Sequence, residues 1–153
     1  MKKETVIIFT KFLLDFMYFA GIVVTLLLPV PGLLERVTAL LDFHGYERRY
    51  TEIIVIYFML GILAVLILGE LRKMFRTVLA GDCFVKDNVV SLQRMGTYSF
   101  IIAVICLLRT VLYMTSAMLV LVLVFIVAGL FSKVLAFVFD KAVEYKLEND
   151  LTI

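Results

Sequence analysis

Four long apolar runs alternate with short polar stretches along this chain. The runs cover residues 10–29, 51–71, 96–113 and 117–139. A helix needs about 20 mainly apolar residues to cross a hydrocarbon core of about 30 Å, and each run has roughly that length. The pattern predicts an all-α membrane protein with four transmembrane helices in a single integral membrane domain, residues 1–153.

The first apolar run is interpreted as a retained helix. It follows Lys2 and Lys3, as a signal peptide would, but it is too long and lacks a small-residue cleavage site. Pro29 and Pro31 are expected to end it, because proline lacks a backbone N–H and disfavours helix in the residue before it.

The stretch from Leu33 to Tyr50 mixes charged and apolar residues at three- and four-residue steps. This spacing predicts a short amphipathic connector at the membrane surface, with a ligand-binding loop as the alternative. His44 is the only histidine, and zinc normally requires three or four protein ligands. We therefore expect no metal site there.

Two polar regions follow. The region 72–95 separates the second and third runs and overlaps residues 81–96, called the elbow here. Gly81 is expected to stop the preceding helix, and Asp87 or Asn88 to cap the next one. The tail, residues 140–153, alternates acidic and basic residues, which predicts a helix leaving the membrane and a non-helical end at 149–153.

Few polar residues interrupt the runs. Asp15 and Arg109 are interpreted as intramembrane charges near opposite interfaces, where they reach water or headgroups and do not pair with each other. Lys133 is expected to snorkel along its own helix, and Thr115 and Ser116 to form a tight turn. Close helix–helix contacts are predicted at three glycines, Gly21, Gly61 and Gly129.

Composition supports the membrane assignment, because 63% of the residues are hydrophobic and the mean hydropathy is +1.08. A soluble domain averages nearer 45–50% apolar residues. If the N-terminus is inside, 11 of the 15 Lys and Arg residues lie on the inner side and 4 on the outer. The positive-inside rule then predicts a cell-membrane protein with both termini and the elbow in the cytoplasm and the connector outside. The reversed topology is the alternative.

The sequence contains no recognisable catalytic constellation. It has no metalloprotease, phosphate-loop or Cys-x-x-Cys motif, and Cys83 and Cys106 are interpreted as free thiols. We therefore expect no enzymatic activity, cofactor or bound metal.

The elbow resembles a pattern of the YoaS-type family, small bacterial membrane proteins with four spans and no established activity. The pattern is approximately Gly-x-Pro-Phe-x-x-x-Asn-x-x-x-Leu-x-x-x-Gly. Cys83 stands where the family usually has proline, which implies a less rigid turn. The chain's ending also looks like the family's acidic Asp-Leu-Thr-Ile terminus. The matching residues are Gly81, Phe84, Asn88, Leu92 and Gly96 in the elbow and Asp150, Leu151, Thr152 and Ile153 in the tail.

The resemblance implies a genomic context, because such proteins are often encoded beside a Cro/repressor-type helix-turn-helix regulator. The leading hypothesis is a non-enzymatic membrane protein that docks or signals to such a cytoplasmic regulator. It contacts the lipid bilayer, can form homo-oligomers and is not expected to bind nucleic acid directly. The alternative is a small transporter or an immunity-type protein against a membrane-active agent. The expected docking face combines elbow and tail: Gly81, Phe84, Asn88, Leu92, Arg94, Gly96, Asp150, Leu151, Thr152 and Ile153.

Overall fold

The described part of the chain forms four α-helices in a computed structural model that describes residues 3–30, 32, 36, 50–112 and 116–152. They are α1 (Lys3–Leu27), α2 (Tyr50–Leu79), α3 (Lys86–Leu112) and α4 (Ser116–Leu151). Each contains a segment long and apolar enough to cross a membrane, which confirms the prediction of four spanning helices. These segments are Thr5–Leu27, Thr51–Leu79, Lys86–Leu112 and Ala117–Leu151.

Some predicted features lie outside the described residues. These are almost all of the amphipathic connector, His44, and Ile153 at the C-terminus. Thr115 is likewise outside, whereas Ser116 is the first residue of α4 and therefore belongs to the helix.

Helix α1 ends as predicted, just before the two prolines. Its last residue is Leu27, and the Leu28 N–H still donates to the carbonyl of Val24 at 3.1 Å. Pro29 has no N–H to continue this ladder.

The helices pack as a row. Within the described residues, the extensive interfaces join α1 to α2, α2 to α3, and α3 to α4, and the last is the largest. Helices α1 and α4 share no comparable interface in the described residues, so the four helices do not close into a ring. Thr25 is the one buried residue in the described part of α1, so most of that helix surface is available to lipid.

The α3–α4 interface follows a heptad pattern on both helices. Buried or partly buried positions recur at alternating three- and four-residue steps, the spacing of a coiled-coil seam. Small side chains occupy the middle of each seam, which lets the two backbones approach closely. The seam positions are Leu92, Gly96, Ser99, Ala103, Cys106 and Thr110 on α3, and Met118, Val122, Phe125, Gly129, Ser132, Ala136, Phe139 and Val143 on α4.

Three glycines lie at helix–helix contacts, as predicted. A Cβ atom on Gly61 would lie 2.6 Å from Thr25 Oγ1, and one on Gly21 would lie 3.2 Å from Val65. A Cβ on Gly129 would lie 3.0 Å from the Phe100 ring. The α1–α2 and α3–α4 contacts therefore both depend on residues without side chains.

Candidate functional site at the elbow end

The elbow begins with a tight helix termination. The Gly81 N–H donates to the Val78 carbonyl at 3.2 Å, and the Asp82 N–H donates to the Thr77 carbonyl at 3.1 Å. These two bonds form a Schellman motif, in which the residue after the helix adopts a left-handed conformation. Gly81 has φ +80°, which glycine adopts without steric cost. The predicted helix stop is confirmed.

Asn88 holds the elbow closed. Its side chain is buried and donates to Thr77 Oγ1 at 2.6 Å and to the Cys83 carbonyl at 2.7 Å. The prediction that Asp87 or Asn88 caps α3 is wrong, because α3 already begins at Lys86. The Asn88 amide instead donates hydrogen bonds to the end of α2 and to the loop. It pairs with the Thr77 hydroxyl and the Cys83 carbonyl, which the turn would otherwise leave without a donor.

The extension of α4 braces the elbow from the other side. The Phe84 and Phe139 rings have centroids 5.3 Å apart. Lys86 Nζ lies 2.5 Å from Asp140 Oδ1, and Lys146 Nζ lies 2.7 Å from Asp82 Oδ2. Acid and base therefore lie on both sides of this contact, because Lys86 of the elbow pairs with Asp140, whereas Asp82 of the elbow pairs with Lys146.

Both lysines in these pairs are exposed. The hydrogen bond that Lys86 donates to Asp140 raises the pKa of Lys86, and the hydrogen bonds that Lys146 donates to Asp82 raise the pKa of Lys146. Each lysine is therefore charged at neutral pH. Because water screens both pairs, they orient the α4 extension more than they stabilise it.

Helix α4 extends beyond Lys146, the last of its residues paired with the elbow. Helix α4 continues to Leu151, so the predicted non-helical end at 149–153 is wrong for residues 149–151, whereas Thr152 lies outside the helix. Leu151 is 88% exposed, so its side chain does not pack against the rest of the described chain. Leu92 is buried in the α3–α4 seam, where it packs near Ala136 and Val143. The docking face of elbow and tail therefore stays a prediction, and the contacts that join the two regions are made at Phe139, Asp140 and Lys146.

Glu70 is a buried carboxylate near the end of the second predicted span, and no role was predicted for it from the sequence. Its side chain is 7% exposed. Ser91 Oγ donates to Oε2 at 2.7 Å, and Lys73 Nζ donates to Oε1 at 2.9 Å. Arg94 Nη1 lies 3.5 Å from Oε1, which places this predicted site residue beside α2. The signal was available in the i, i+3 spacing of Ser91 and Arg94 on one helix face.

Two α4 side chains bond across to the α3 backbone. Ser132 Oγ donates to the Leu92 carbonyl at 2.7 Å, and Lys133 Nζ donates to the Gln93 carbonyl at 2.8 Å. Lys133 also donates to Thr97 Oγ1 at 2.9 Å. The expectation that Lys133 snorkels along its own helix is wrong, because Gly96 leaves room for the lysine to cross the interface: a Cβ there would lie 3.0 Å from Lys133 Cγ.

Asp15 pairs with a basic residue of α2. Arg72 Nε lies 2.5 Å from Asp15 Oδ1, and the guanidinium carbon lies 4.5 Å from the Tyr18 ring centroid and 5.1 Å from that of Phe19. Asp15 and Arg109 do not pair, as predicted, but a protein partner replaces the solvent or headgroup contact expected for Asp15.

Arg109 contacts α2 at the opposite end. Its guanidinium carbon lies 4.9 Å from the Tyr57 ring centroid, and its Nη1 atom is buried without a hydrogen-bond partner in the described chain. The cation–π contact holds the guanidinium against α2, and contact of Arg109 with water or headgroups stays a prediction.

Metal-binding and thiol chemistry can be checked directly for the described residues. They contain no cluster of three or more His, Cys, Asp or Glu side chains that could hold a metal ion. Cys83 and Cys106 are both free, as predicted, and Cys106 is the more deeply buried.

One family matches most of this sequence. It is described as "Protein of unknown function (DUF2975)", and the match covers residues 24–153. The chain belongs to the DUF2975 family. The region matched to DUF2975 contains α2, α3 and α4 in full, and therefore both the elbow and Glu70. No curated protein and no solved structure matched the chain.

Proposed function

We propose that this protein is a non-enzymatic integral membrane protein whose α4 extension docks a cytoplasmic protein. The observation that carries the proposal is an exposed apolar pair on a helix that continues past its span. Leu147 is 57% exposed and Leu151 is 88% exposed. The two residues are one helical turn apart and so share a face.

The elbow supports this role because it holds the base of the extension. Contacts at Phe139, Asp140 and Lys146 bind the helix to the α2–α3 turn. A helix held in this way loses less conformational freedom on binding than a mobile tail, so more of the interaction energy is available as affinity. Helix-in-groove recognition uses this arrangement of apolar residues on one face.

The first partner to test is a small helix-turn-helix regulator, the protein that the YoaS-type resemblance suggests. Acidic residues flank the apolar pair, so the complementary groove is expected to have a basic rim. These exposed acids are Glu144, Glu148 and Asp150.

The binding test uses the full chain in lipid nanodiscs and a purified regulator as the titrant. Leu147→Ala/Leu151→Ala should weaken binding at least tenfold, because central apolar anchors dominate most interfaces. Tyr145→Ala is the matched control, since Tyr145 is 68% exposed on the same helix but on a different face. Equal affinity of the double variant and the unmodified chain would contradict docking through this face.

Two further measurements complete the test. Liposome flux separates docking from the transporter alternative, because docking predicts no flux above that of empty liposomes. Reporter fusions test the proposed cell-membrane topology. A fusion at Ile153 should report from the cytoplasm and one near Arg48 from outside, as the basic asymmetry requires.

A further inference from the structure

A cleft of about 350 Å³ lies between α1 and α2 near the elbow end. Lys11 and Asp15 line one side, one turn apart on α1, and Arg72 and Arg76 line the other, one turn apart on α2. Three cations and one carboxylate therefore face a single space. We propose that this cleft binds the phosphate headgroup of an anionic phospholipid.

The charges of the cleft divide into a paired and an unpaired set. Asp15 is engaged by Arg72, which is also held against the rings of Tyr18 and Phe19. Lys11 and Arg76 are exposed, and neither forms an ion pair with any other described residue. The carboxylate that would repel an anion is thus already neutralised, and two cations remain available to bind a phosphate.

The depth of the cleft suits a headgroup. Lys11 lies at the beginning of the first predicted span, and Arg72 and Arg76 lie just after the end of the second. This is the level at which lipid phosphates meet basic side chains. A free phosphate would need only the cations, whereas this cleft also has apolar walls.

The apolar walls favour a lipid over a free anion. Leu14 and Phe75 line the cleft beside the charged residues. Phe12 and Phe16 are mostly exposed along the neighbouring surface of α1. Acyl chains attached to a bound phosphate can lie along this surface, which no other helix covers extensively in the described structure.

The experiment compares ligands on the full-length protein in a mild detergent. Phosphatidylglycerol, phosphatidylcholine and inorganic phosphate are titrated separately, and thermal unfolding is followed. Phosphatidylglycerol should raise Tm more than phosphatidylcholine at equal concentration, because a ligand that binds the folded state stabilises it. Inorganic phosphate at that concentration should have a smaller effect.

Variants locate the binding. Lys11→Gln and Arg76→Gln should each weaken the apparent affinity for phosphatidylglycerol about fivefold, and Arg76→Lys should retain it because the charge is kept. Lys141→Gln is the matched control, an exposed basic residue on α4. Both Gln changes remove exposed side chains without an ion pair in the described chain, so the fold should be unaffected. Circular dichroism checks this.

Three results would overturn the proposal. Equal effects of phosphatidylglycerol and phosphatidylcholine would show no headgroup recognition. An equal effect of inorganic phosphate would assign the cleft to free anions. A loss in Lys141→Gln as large as in Arg76→Gln would show diffuse surface attraction without a site.

Discussion

The α1–α2 and α3–α4 interfaces both join antiparallel apolar helices, yet they are built differently. Two heptad seams with small central residues meet between α3 and α4, where a Cβ on Gly96 would lie 3.1 Å from the Gly129 carbonyl oxygen. Helix α1 also has partly buried positions at three- and four-residue steps, but Thr25 is the one fully buried residue in its described part. It contacts α2 at Gly21, Gly61 and Gly69 and through the Asp15–Arg72 pair. In lipid, apolar character does not by itself drive association, so close packing decides which helices adhere.

The largest expected effect comes from filling the α3–α4 seam. Ala136 is buried at the seam, whereas Ala128 is exposed on the same helix. Ala136→Leu should lower the free energy of unfolding by about 2–3 kcal/mol through overpacking, and Ala128→Leu should leave it nearly unchanged. Because the chain contains no Trp, unfolding is best followed by circular dichroism. Equal effects at both sites would contradict the seam.

Ser91→Ala tests the buried carboxylate between α2 and α3. Removing the hydroxyl leaves Glu70 Oε2 without its 2.7 Å donor in a site that is almost fully buried. The expected loss is about 2 kcal/mol of unfolding free energy, since hydrogen bonds to charged groups are stronger than neutral ones. Ser91→Thr keeps the hydroxyl and serves as the control. If Ser91→Thr lowers the free energy of unfolding as much as Ser91→Ala does, the effect comes from a change in side-chain shape and not from the lost hydrogen bond.

Asp15→Asn tests the α1–α2 pair and should have a smaller effect. Asp15 and Arg72 are 35% and 20% exposed, so water replaces part of the lost interaction. We expect a loss of about 0.5–1 kcal/mol in the same unfolding assay. A loss equal to that of Ser91→Ala would show that the polar contact of α1 with α2 is as strong as that of α3 with α2.

The smallest effect is expected at the exposed elbow pair. Lys146→Gln should leave unfolding unchanged, because both partners are largely in water. The folded-state pKa of Lys146 is raised, so the contribution of the pair is present below the ordinary lysine pKa and lost as the pH rises through the raised value. Stability measured between pH 7 and pH 9 should therefore not depend on this lysine. A pH-dependent difference in that range would contradict this assignment.

The helices and their ends were predicted well from the sequence. Apolar runs, prolines and Gly81 determine the structure of their own segment, whatever it packs against. Four spans, the end of α1 before Pro29 and the turn at Gly81 all agree with the structure. Each follows from hydrocarbon thickness or from the backbone chemistry of one residue type. Such features can be predicted without knowing which helices are neighbours.

The side-chain partners could not be predicted in the same way. Asn88 was assigned to a helix cap and Lys133 to its own helix, but both bond to another helix or to the loop. In an apolar span, lipid-facing and protein-facing positions look alike, so the usual amphipathic signal is missing. The informative signal was the three–four spacing of small residues, such as Gly129, Ser132 and Ala136.

The length of α4 has a mechanical consequence. Its 36 residues extend about 54 Å at 1.5 Å per residue, while the hydrocarbon core is about 30 Å thick. Roughly 24 Å of rigid rod therefore projects as a lever arm, and a tilt of about 10° in the membrane would displace its tip by about 4 Å. Tilting is one way in which a long helix accommodates a thinner membrane. Such a tilt would move Leu151 sideways, so that a change in the lipid becomes a change in the position of the α4 tip.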